Sequence, residues 1–208
     1  IDDLAAAANA ALLACGFPLR TVEECRSFVG NGVSKLLERA LPANEHTPEV
    51  VARMHRDFFS YYDAHLTERT HPYPGIEILL KNLQLQGVKL AVASNKYQRA
   101  TERLIQYFFP QITFVSVLGQ RENMPVKPHP RVVQEILQAA QETIPNCLYV
   151  GDSDVDMQTA QNAGVKACAV TWGFRSRVVL AAYQPAYLVD APSQILLLPE
   201  VKNYNGCA

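Results

Sequence analysis

Residues 148–156 read Leu-Tyr-Val-Gly-Asp-Ser-Asp-Val-Asp, and this stretch decides the fold. An apolar run that stops at Gly151 is typical of a strand buried on both faces of a parallel sheet. Residues 153–163 then predict a helix, with Gly164 just past its end. Asp152 is therefore expected at the carboxyl end of a strand, where open α/β sheets bind their ligands.

Three carboxylates follow this strand within five residues: Asp152, Asp154 and Asp156. Clustered carboxylate oxygens suit a hard cation such as Mg²⁺. The alternative interpretation is that Ser153 or Asp154 only caps the following helix. The stretch alone leaves both interpretations open.

Strands and helices alternate along the chain from residue 73 onward. The pattern predicts helices over 76–86, 97–108 and 131–141, and strands over 88–93, 113–118, 147–150, 166–171 and 187–190. Alternation at this spacing indicates right-handed βαβ units and a doubly wound parallel sheet with helices on both faces. The predicted fold class is α/β.

The first 72 residues show helical patterns and no strand. Helices are predicted over 3–15, 21–28, 33–41 and 47–66. A Gly-Asn-Gly break precedes the third helix, and the fourth begins with Thr-Pro. The Pro-rich turn at 71–75 marks the hinge between two domains. We therefore expect a helical domain at 1–72 and an α/β domain at 73–208.

Composition excludes some function classes. The 208 residues are 49% apolar and 19% charged with a net charge of -1, so nucleic acid and membranes are not expected partners. No apolar run approaches the roughly 20 residues needed to span a bilayer. Five scattered cysteines without a CxxC pair fit reduced thiols in the cytoplasm.

Two further polar stretches are expected at the same sheet edge. Ser94-Asn95-Lys96 follows a predicted strand, where a hydroxyl, an amide and a helix N-terminus make an anion site; Ser94 or Asn95 acting only as a helix cap is the alternative. Lys127 lies between two prolines that restrict its loop, and could neutralise phosphate charge or simply be solvated. A cation site, an anion site and a lysine together are what phosphoryl transfer requires.

The ordered motifs Ser94-Asn95-Lys96, Lys127-Pro128 and Gly151-Asp152-Ser153-x-x-Asp156 resemble motifs of the haloacid dehalogenase-like phosphatase superfamily. Further stretches resemble its phosphoglycolate phosphatase-like members: Phe28-Val29-Gly30-Asn31-Gly32, Glu38-Arg39-Ala40-Leu41, Tyr73-Pro74-Gly75 and Thr171-Trp172-Gly173-Phe174. The resemblance covers essentially the whole chain. It implies a Rossmann-like core carrying a mobile α-helical cap that closes over the substrate.

The resemblance also implies roles for individual residues. Ser94 and Asn95 would bind the phosphoryl group, and Lys127 would stabilise charge on it and on the nucleophile. Asp152 would be a direct Mg²⁺ ligand, with Asp156 supporting the metal indirectly. In the cap, Gly30-Asn31-Gly32 would form a loop that faces the substrate. The same three residues are also typical of an ordinary turn between helices.

One motif of the family is missing from the 208 residues. The family's nucleophilic aspartate belongs to an Asp-x-Asp-Gly-Thr motif after the first core strand, and Asp2 and Asp3 would align just downstream of it. We therefore expect that the natural N-terminus, including a central strand of the sheet, precedes Ile1. Without it, two rows of backbone groups would be unpaired, and the chain as given would be inactive.

The implied function is Mg²⁺-dependent hydrolysis of a small phosphomonoester, with 2-phosphoglycolate as the leading substrate and an aspartyl-phosphate as the intermediate. Alternatives are a sugar-phosphate phosphatase or mutase on the same scaffold, or a non-catalytic phosphate-binding protein. A monomer or a homodimer is expected. Dehalogenation is disfavoured because halide displacement does not need the cation that the acids suit.

Overall fold

The structure is a computed structural model that describes residues 1–202. The chain divides into two compact units, one spanning Ile1–His71 and one beginning at Pro72. The first unit consists of four helices: α1 (Asp2–Ala14), α2 (Val22–Phe28), α3 (Val33–Ala40) and α4 (Pro48–His65).

Local sequence explains where the helices of this unit begin. Thr21 and Glu24 form a reciprocal capping box at the start of α2. Thr47 accepts a hydrogen bond from the backbone of Val50, and Pro48 occupies the first turn of α4, where its missing N–H costs nothing. The unit is held together mainly by α1 against α4, since alanines on α1 allow the close approach of the buried Phe58 and Tyr62.

Asp3 fastens the end of this unit to its beginning. Its buried carboxylate accepts hydrogen bonds from the backbone N–H groups of Arg69 and Thr70 and from the Thr70 hydroxyl, at 2.7–3.1 Å. A buried carboxylate needs such donors to offset its desolvation. The segment after α4 is thus tied to the first turn of α1.

The second unit alternates helices and strands, as predicted. Its elements are α5 (Ile76–Leu85), β1 (Leu90–Tyr97), α6 (Gln98–Phe108), β2 (Phe114–Gln120), α7 (Arg131–Ala140), a 3-10 turn (Ile144–Asn146), β3 (Leu148–Gly151), α8 (Asp154–Ala163), β4 (Lys166–Val170), α9 (Arg177–Ala181), β5 (Tyr187–Val189), α10 (Pro192–Ile195) and α11 (Pro199–Lys202). The α/β fold class is confirmed.

The strands pair in parallel, but in two sheets. In the described residues β1 pairs with β2, and β3, β4 and β5 form a separate three-stranded sheet in that order. One apolar core joins Leu90 of β1 to Cys168 of β4, and a second packs Ala93 of β1 with Tyr149 of β3. Each core therefore includes residues of both sheets.

Two strands end two or more residues beyond the ends that the sequence predicts. The strand predicted over 88–93 runs from Leu90 to Tyr97, so Ser94 and Asn95 lie within β1. The predicted strand over 113–118 shifts to Phe114–Gln120. Parallel pairing extends both strands, because Tyr97 is in register with Gln120 beyond the polar residues. None of the helices described is long and apolar enough to cross a membrane.

Candidate active site

The acidic stretch forms a compact turn between β3 and α8. Ser153 is the N-cap of α8, and its hydroxyl accepts a hydrogen bond from the backbone N–H of Asp156 at 3.2 Å. The same hydroxyl donates to Oδ2 of Asp156 at 2.6 Å. Capping by Ser153, one of the alternatives from the sequence, therefore occurs, and it also fixes a carboxylate at the sheet edge.

Lys127 reaches from its loop to this carboxylate. Its Nζ donates to Oδ1 of Asp156 at 2.7 Å and to the carbonyl of Ala93 at 3.0 Å. Burial alone would lower the pKa of Lys127, but Tyr149 and Asp156 beside it hold that pKa above its usual value. The lysine is therefore a buried, permanently charged ammonium, not a solvated one.

Asp156 has both carboxylate oxygens engaged. Oδ1 accepts from Lys127 and, at 3.2 Å, from the hydroxyl of Tyr149, whereas Oδ2 accepts from Ser153 and, at 3.3 Å, from the backbone N–H of Asp152. Burial opposes its charge, yet Lys127 and these donors keep the pKa of Asp156 below its usual value. A carboxylate so occupied has little capacity left for direct metal ligation.

Asp152 is held by the loop that follows β4. Its Oδ2 accepts a hydrogen bond from the backbone N–H of Phe174 at 2.9 Å, and its carbonyl accepts one from Arg175 at 3.1 Å. Gly173 lies so close that an added Cβ would overlap this carboxylate. Burial raises the pKa of Asp152, the Phe174 bond lowers it, and nearby Asp156 raises it further, with a net increase.

Ser94 and Asn95 lie near the end of β1, close to the lysine loop. Asn95 forms a two-way pair with the main chain of Lys127: its Oδ1 accepts from the Lys127 N–H at 2.8 Å and its Nδ2 donates to the Lys127 carbonyl at 3.0 Å. The Ser94 hydroxyl accepts from the backbone N–H of Lys96 at 3.1 Å. Neither caps α6, whose N-cap is Tyr97.

The third predicted group, Gly30-Asn31-Gly32, lies in the helical unit between α2 and α3. Gly30 and Gly32 have φ values of 122° and 86°, which side-chain-bearing residues rarely adopt. Arg39 braces the turn by donating to Oδ1 of Asn31 at 3.0 Å and to the carbonyl of Phe28 at 2.7 Å. The loop is therefore an ordered turn.

The donor set for a metal is small. Among residues 1–202, no group of three or more His, Cys, Asp or Glu side chains is arranged to hold an ion. Asp152 nevertheless fits Mg²⁺, because one carboxylate has about four lone-pair sites and the Phe174 bond uses one. Asp156 fits only an indirect role, since its oxygens are taken.

Three contacts of the site were not anticipated from the sequence. In the sequence, Tyr149 is one more residue of an apolar run that predicts a buried strand. Nothing in that run indicates that its hydroxyl reaches Asp156. Gly173 and Phe174 belong to a stretch that resembles the family, but the sequence does not predict that their backbone contacts Asp152. Arg175 pairs with Asp154 at 2.8 Å, so this arginine and this acid neutralise one another.

Curated sequences and solved structures resemble this chain over most of its length. A curated phosphoglycolate phosphatase from Vibrio vulnificus is 32% identical over 201 residues, which is 94% of this chain and 88% of the relative. One from Pseudomonas syringae pv. tomato is 31% identical, covering 97% of this chain and 79% of the relative. A crystal structure of a predicted phosphoglycolate phosphatase from Haemophilus somnus superposes with a TM-score of 0.87 at 27% identity, over 94% of this chain and 90% of that one.

The sequence profile of the haloacid dehalogenase-like hydrolases matches residues 1–170, which is most of the chain. The relatives that match nearly its full length carry the name of a phosphoric monoester hydrolase. The chain belongs to the haloacid dehalogenase-like hydrolase family.

Proposed function

We propose that this protein is a Mg²⁺-dependent phosphatase of small phosphomonoesters, with 2-phosphoglycolate as its substrate. The observation that carries the proposal is the buried ammonium of Lys127, held between the Ala93 carbonyl and Asp156 beside Asp152. A fixed positive charge beside fixed carboxylates suits a dianionic phosphoryl group and its cation. The names of the relatives favour phosphoglycolate as substrate.

In the proposed site, Lys127 stabilises charge on the phosphoryl oxygens, and the Ser94 hydroxyl donates to one of them. Asn95 acts mainly through Lys127, because both ends of its amide are used to hold the main chain of that residue. This pair fixes where the lysine side chain begins, which matters because small displacements of a charged group cost catalysis. Asn95 is thus proposed as a positioning residue as well as a phosphate ligand.

Asp152 is the proposed direct ligand of Mg²⁺. The Phe174 N–H orients its carboxylate, and Asp156 acts through its hydrogen bond with the Asp152 N–H and its pairing with Lys127. When bound, the cation would neutralise charge on the phosphoryl oxygens.

The proposed reaction proceeds through an aspartyl-phosphate. A carboxylate oxygen attacks phosphorus, the bond from phosphorus to the glycolate oxygen breaks with a proton going to that oxygen, and water then releases inorganic phosphate. The 208 residues contain no Asp-x-Asp-Gly-Thr motif to supply this nucleophile.

Gly30-Asn31-Gly32 is proposed as the substrate-selecting loop of the helical unit, which would act as a cap. The ordered turn braced by Arg39 supports a fixed presentation of Asn31. We also propose a cytoplasmic location, supported by the free state of Cys15, Cys25, Cys147 and Cys168, the four cysteines among the described residues. A monomer or homodimer is the proposed assembly.

The test is phosphate release from 2-phosphoglycolate with and without Mg²⁺. It compares the chain as given with a version carrying an extended apolar segment and Asp-x-Asp-Gly-Thr ahead of Ile1. Mg²⁺-dependent release by the extended protein, lost in its Lys127→Ala and Asp152→Ala variants, is the expected result. Release from other phosphomonoesters only would replace the substrate, and phosphate binding without turnover in the folded, extended protein would favour the non-catalytic alternative.

A further inference from the structure

A second cation, besides Lys127, contacts the acidic turn between β3 and α8. Nε of Arg175, in the loop after β4, donates to Oδ1 of Asp154 at 2.8 Å. The two side chains are 24% and 32% exposed, so a molecule in solution can reach the pair. A partly exposed ion pair contributes little to stability. Its position beside the candidate site therefore suggests a role in binding.

The backbone of Arg175 is fixed next to Asp152. Its N–H donates to the Asp152 carbonyl at 3.1 Å, and the N–H of the preceding residue, Phe174, donates to Oδ2 of Asp152 at 2.9 Å. The loop that carries the arginine is thus bonded to both the main chain and the side chain of the proposed Mg²⁺ ligand. A cation anchored in this way keeps a constant position relative to the site.

The contact with Asp154 uses a small part of the guanidinium. This group is a planar fork with N–H donors on Nε and on both Nη atoms. Among residues 1–202, only the Nε–H of the Arg175 side chain has an acceptor. Asp154 therefore fixes the direction of the fork, while the two Nη atoms at its end keep their donors for another partner.

The open end of the fork matches a carboxylate. Nη1 and Nη2 donate in parallel, which fits the two oxygens of one carboxylate group. The phosphoryl end of a substrate already has partners, because Lys127 and a cation at Asp152 are proposed to bind it. In 2-phosphoglycolate a single methylene group separates the ester oxygen from the carboxylate. The group that binds this carboxylate must therefore lie beside the phosphoryl site, as Arg175 does.

We propose that Arg175 determines substrate specificity by binding the carboxylate of the substrate with its two Nη groups, while Asp154 orients the guanidinium through Nε. This inference rests on the proposed phosphatase function and extends it by assigning the carboxylate of the substrate to one residue. It favours phosphomonoesters with a carboxylate next to the ester carbon. Simple alkyl phosphates and neutral sugar phosphates lack the group that this guanidinium recognises.

The test compares 2-phosphoglycolate with ethyl phosphate, in which a methyl group replaces the carboxylate. Trp172, the sole tryptophan of the chain, lies in the same loop as Arg175, so its fluorescence measures dissociation constants in the presence of Mg²⁺. Values of kcat/KM come from phosphate release by the extended protein. We expect both measurements to favour 2-phosphoglycolate by about a hundredfold or more, because ethyl phosphate leaves the donors of the guanidinium unpaired.

Arg175→Met should reduce this preference by about tenfold or more, because the bidentate partner of the carboxylate is lost. Arg175→Lys keeps the charge but not the fork, and should restore only part of the preference. Arg177→Met is the matched control. Arg177 is a nearby arginine that also forms an ion pair, with Asp190, and its loss should leave the preference unchanged.

The role of Asp154 has a test of its own. Asp154→Ala removes the acceptor that directs the fork, so the preference for 2-phosphoglycolate should fall, although by less than in Arg175→Met. Asp154→Asn keeps an oxygen that accepts from Nε and should restore the preference. A preference that is the same in Asp154→Ala as in the original protein would show that the arginine needs no such support.

Failure of this inference and failure of the proposed function give different results. Binding and release of both compounds, with a preference that Arg175→Met does not change, would overturn the role of Arg175 and leave the phosphatase function in place. An equal loss for both compounds in that variant would mean that the arginine serves only the structure of its loop. Absence of binding and release with every phosphomonoester, by folded protein, would refute the proposed function and this inference together.

Discussion

Nζ of Lys127 lies 2.7 Å from Oδ1 of Asp156, and the two side chains are only 11% and 9% exposed. The residues are 29 positions apart in sequence, and neither has enough water around it to stabilise its charge alone. Each charge is therefore tolerable because of the other. The pair is a structural requirement of the second unit as well as a candidate catalytic feature.

Lys127→Met should destabilise the second unit strongly. Removing one partner of a buried ion pair leaves an uncompensated charge, which costs about 3–5 kcal/mol in measured cases. Urea denaturation of the variant measures the loss. Adding Asp156→Asn should recover part of it, because the remaining group is then neutral, and a single variant as stable as the original would contradict the pairing.

Gly173→Ala should damage the geometry of Asp152. A Cβ at this position overlaps the carboxylate, so the loop or the aspartate must move, at a cost of about 1–3 kcal/mol. The loss is measured by denaturation in the original protein and in an Asp152→Gly background. In that background the cost should largely vanish, because the Cβ and the carboxyl group that obstruct the added methyl group are both absent.

Gly87→Ala serves as the matched control for that prediction. Gly87 also lies in the second unit and has a φ of 76°, but open space surrounds its would-be Cβ. Its cost, about 1 kcal/mol from backbone strain, should be the same with or without Asp152→Gly. Equal behaviour of the two glycines in the two backgrounds would refute the role assigned to Gly173.

Asp3→Ala should destabilise the helical unit. The substitution leaves the part-buried N–H groups of Arg69 and Thr70 without their acceptor, a loss of about 2–4 kcal/mol for two or three bonds to a charged group. Circular dichroism during denaturation follows this unit through its helices. Exposed Asp2 is the control, and Asp2→Ala should change stability by about 0.5 kcal/mol or less.

Thiol labelling should separate the cysteines by burial. Burial raises the pKa of Cys168 to about 12 and also raises the pKa of Cys25, so little thiolate forms at pH 8. Iodoacetamide should modify half-exposed Cys15 first, with sites quantified by peptide mass spectrometry. Labelling in urea removes the difference, and native labelling of Cys168 at the rate of Cys15 would show that its strand is not buried.

The sequence was sufficient for the fold class and for which residues meet at the sheet edge. Alternating apolar runs predict the parallel strands. Because Asp152 directly follows one of these runs, the sequence also predicts that it lies at the carboxyl end of a strand. Asn95 shows the limit of this reasoning: the sequence predicts its amide for an anion but does not reveal its pairing with the main chain of Lys127. Such a contact depends on the mutual placement of two loops, which no local pattern encodes.

Strand extent was predicted less well, for a related reason. Polar Ser94 and Asn95 look like loop residues, but pairing with β2 resumes after them at Tyr97, so both lie within an irregular part of β1. The hydroxyl of Tyr149 was equally unpredictable, because side-chain type does not reveal what lies opposite a buried ring. Tertiary partners, which are absent from the local sequence, decide both features.

The linkage of Ala93, Lys127 and Asp156 has a consequence for the rate of folding. The two contacts of the Lys127 ammonium join residues 29 and 34 positions apart, and each requires closure of a long loop before it contributes any stability. The helical unit forms much of its structure within single helices. We therefore expect the chain to acquire its helices early and the sheet edge late, so that the candidate site is the last part of the molecule to be assembled.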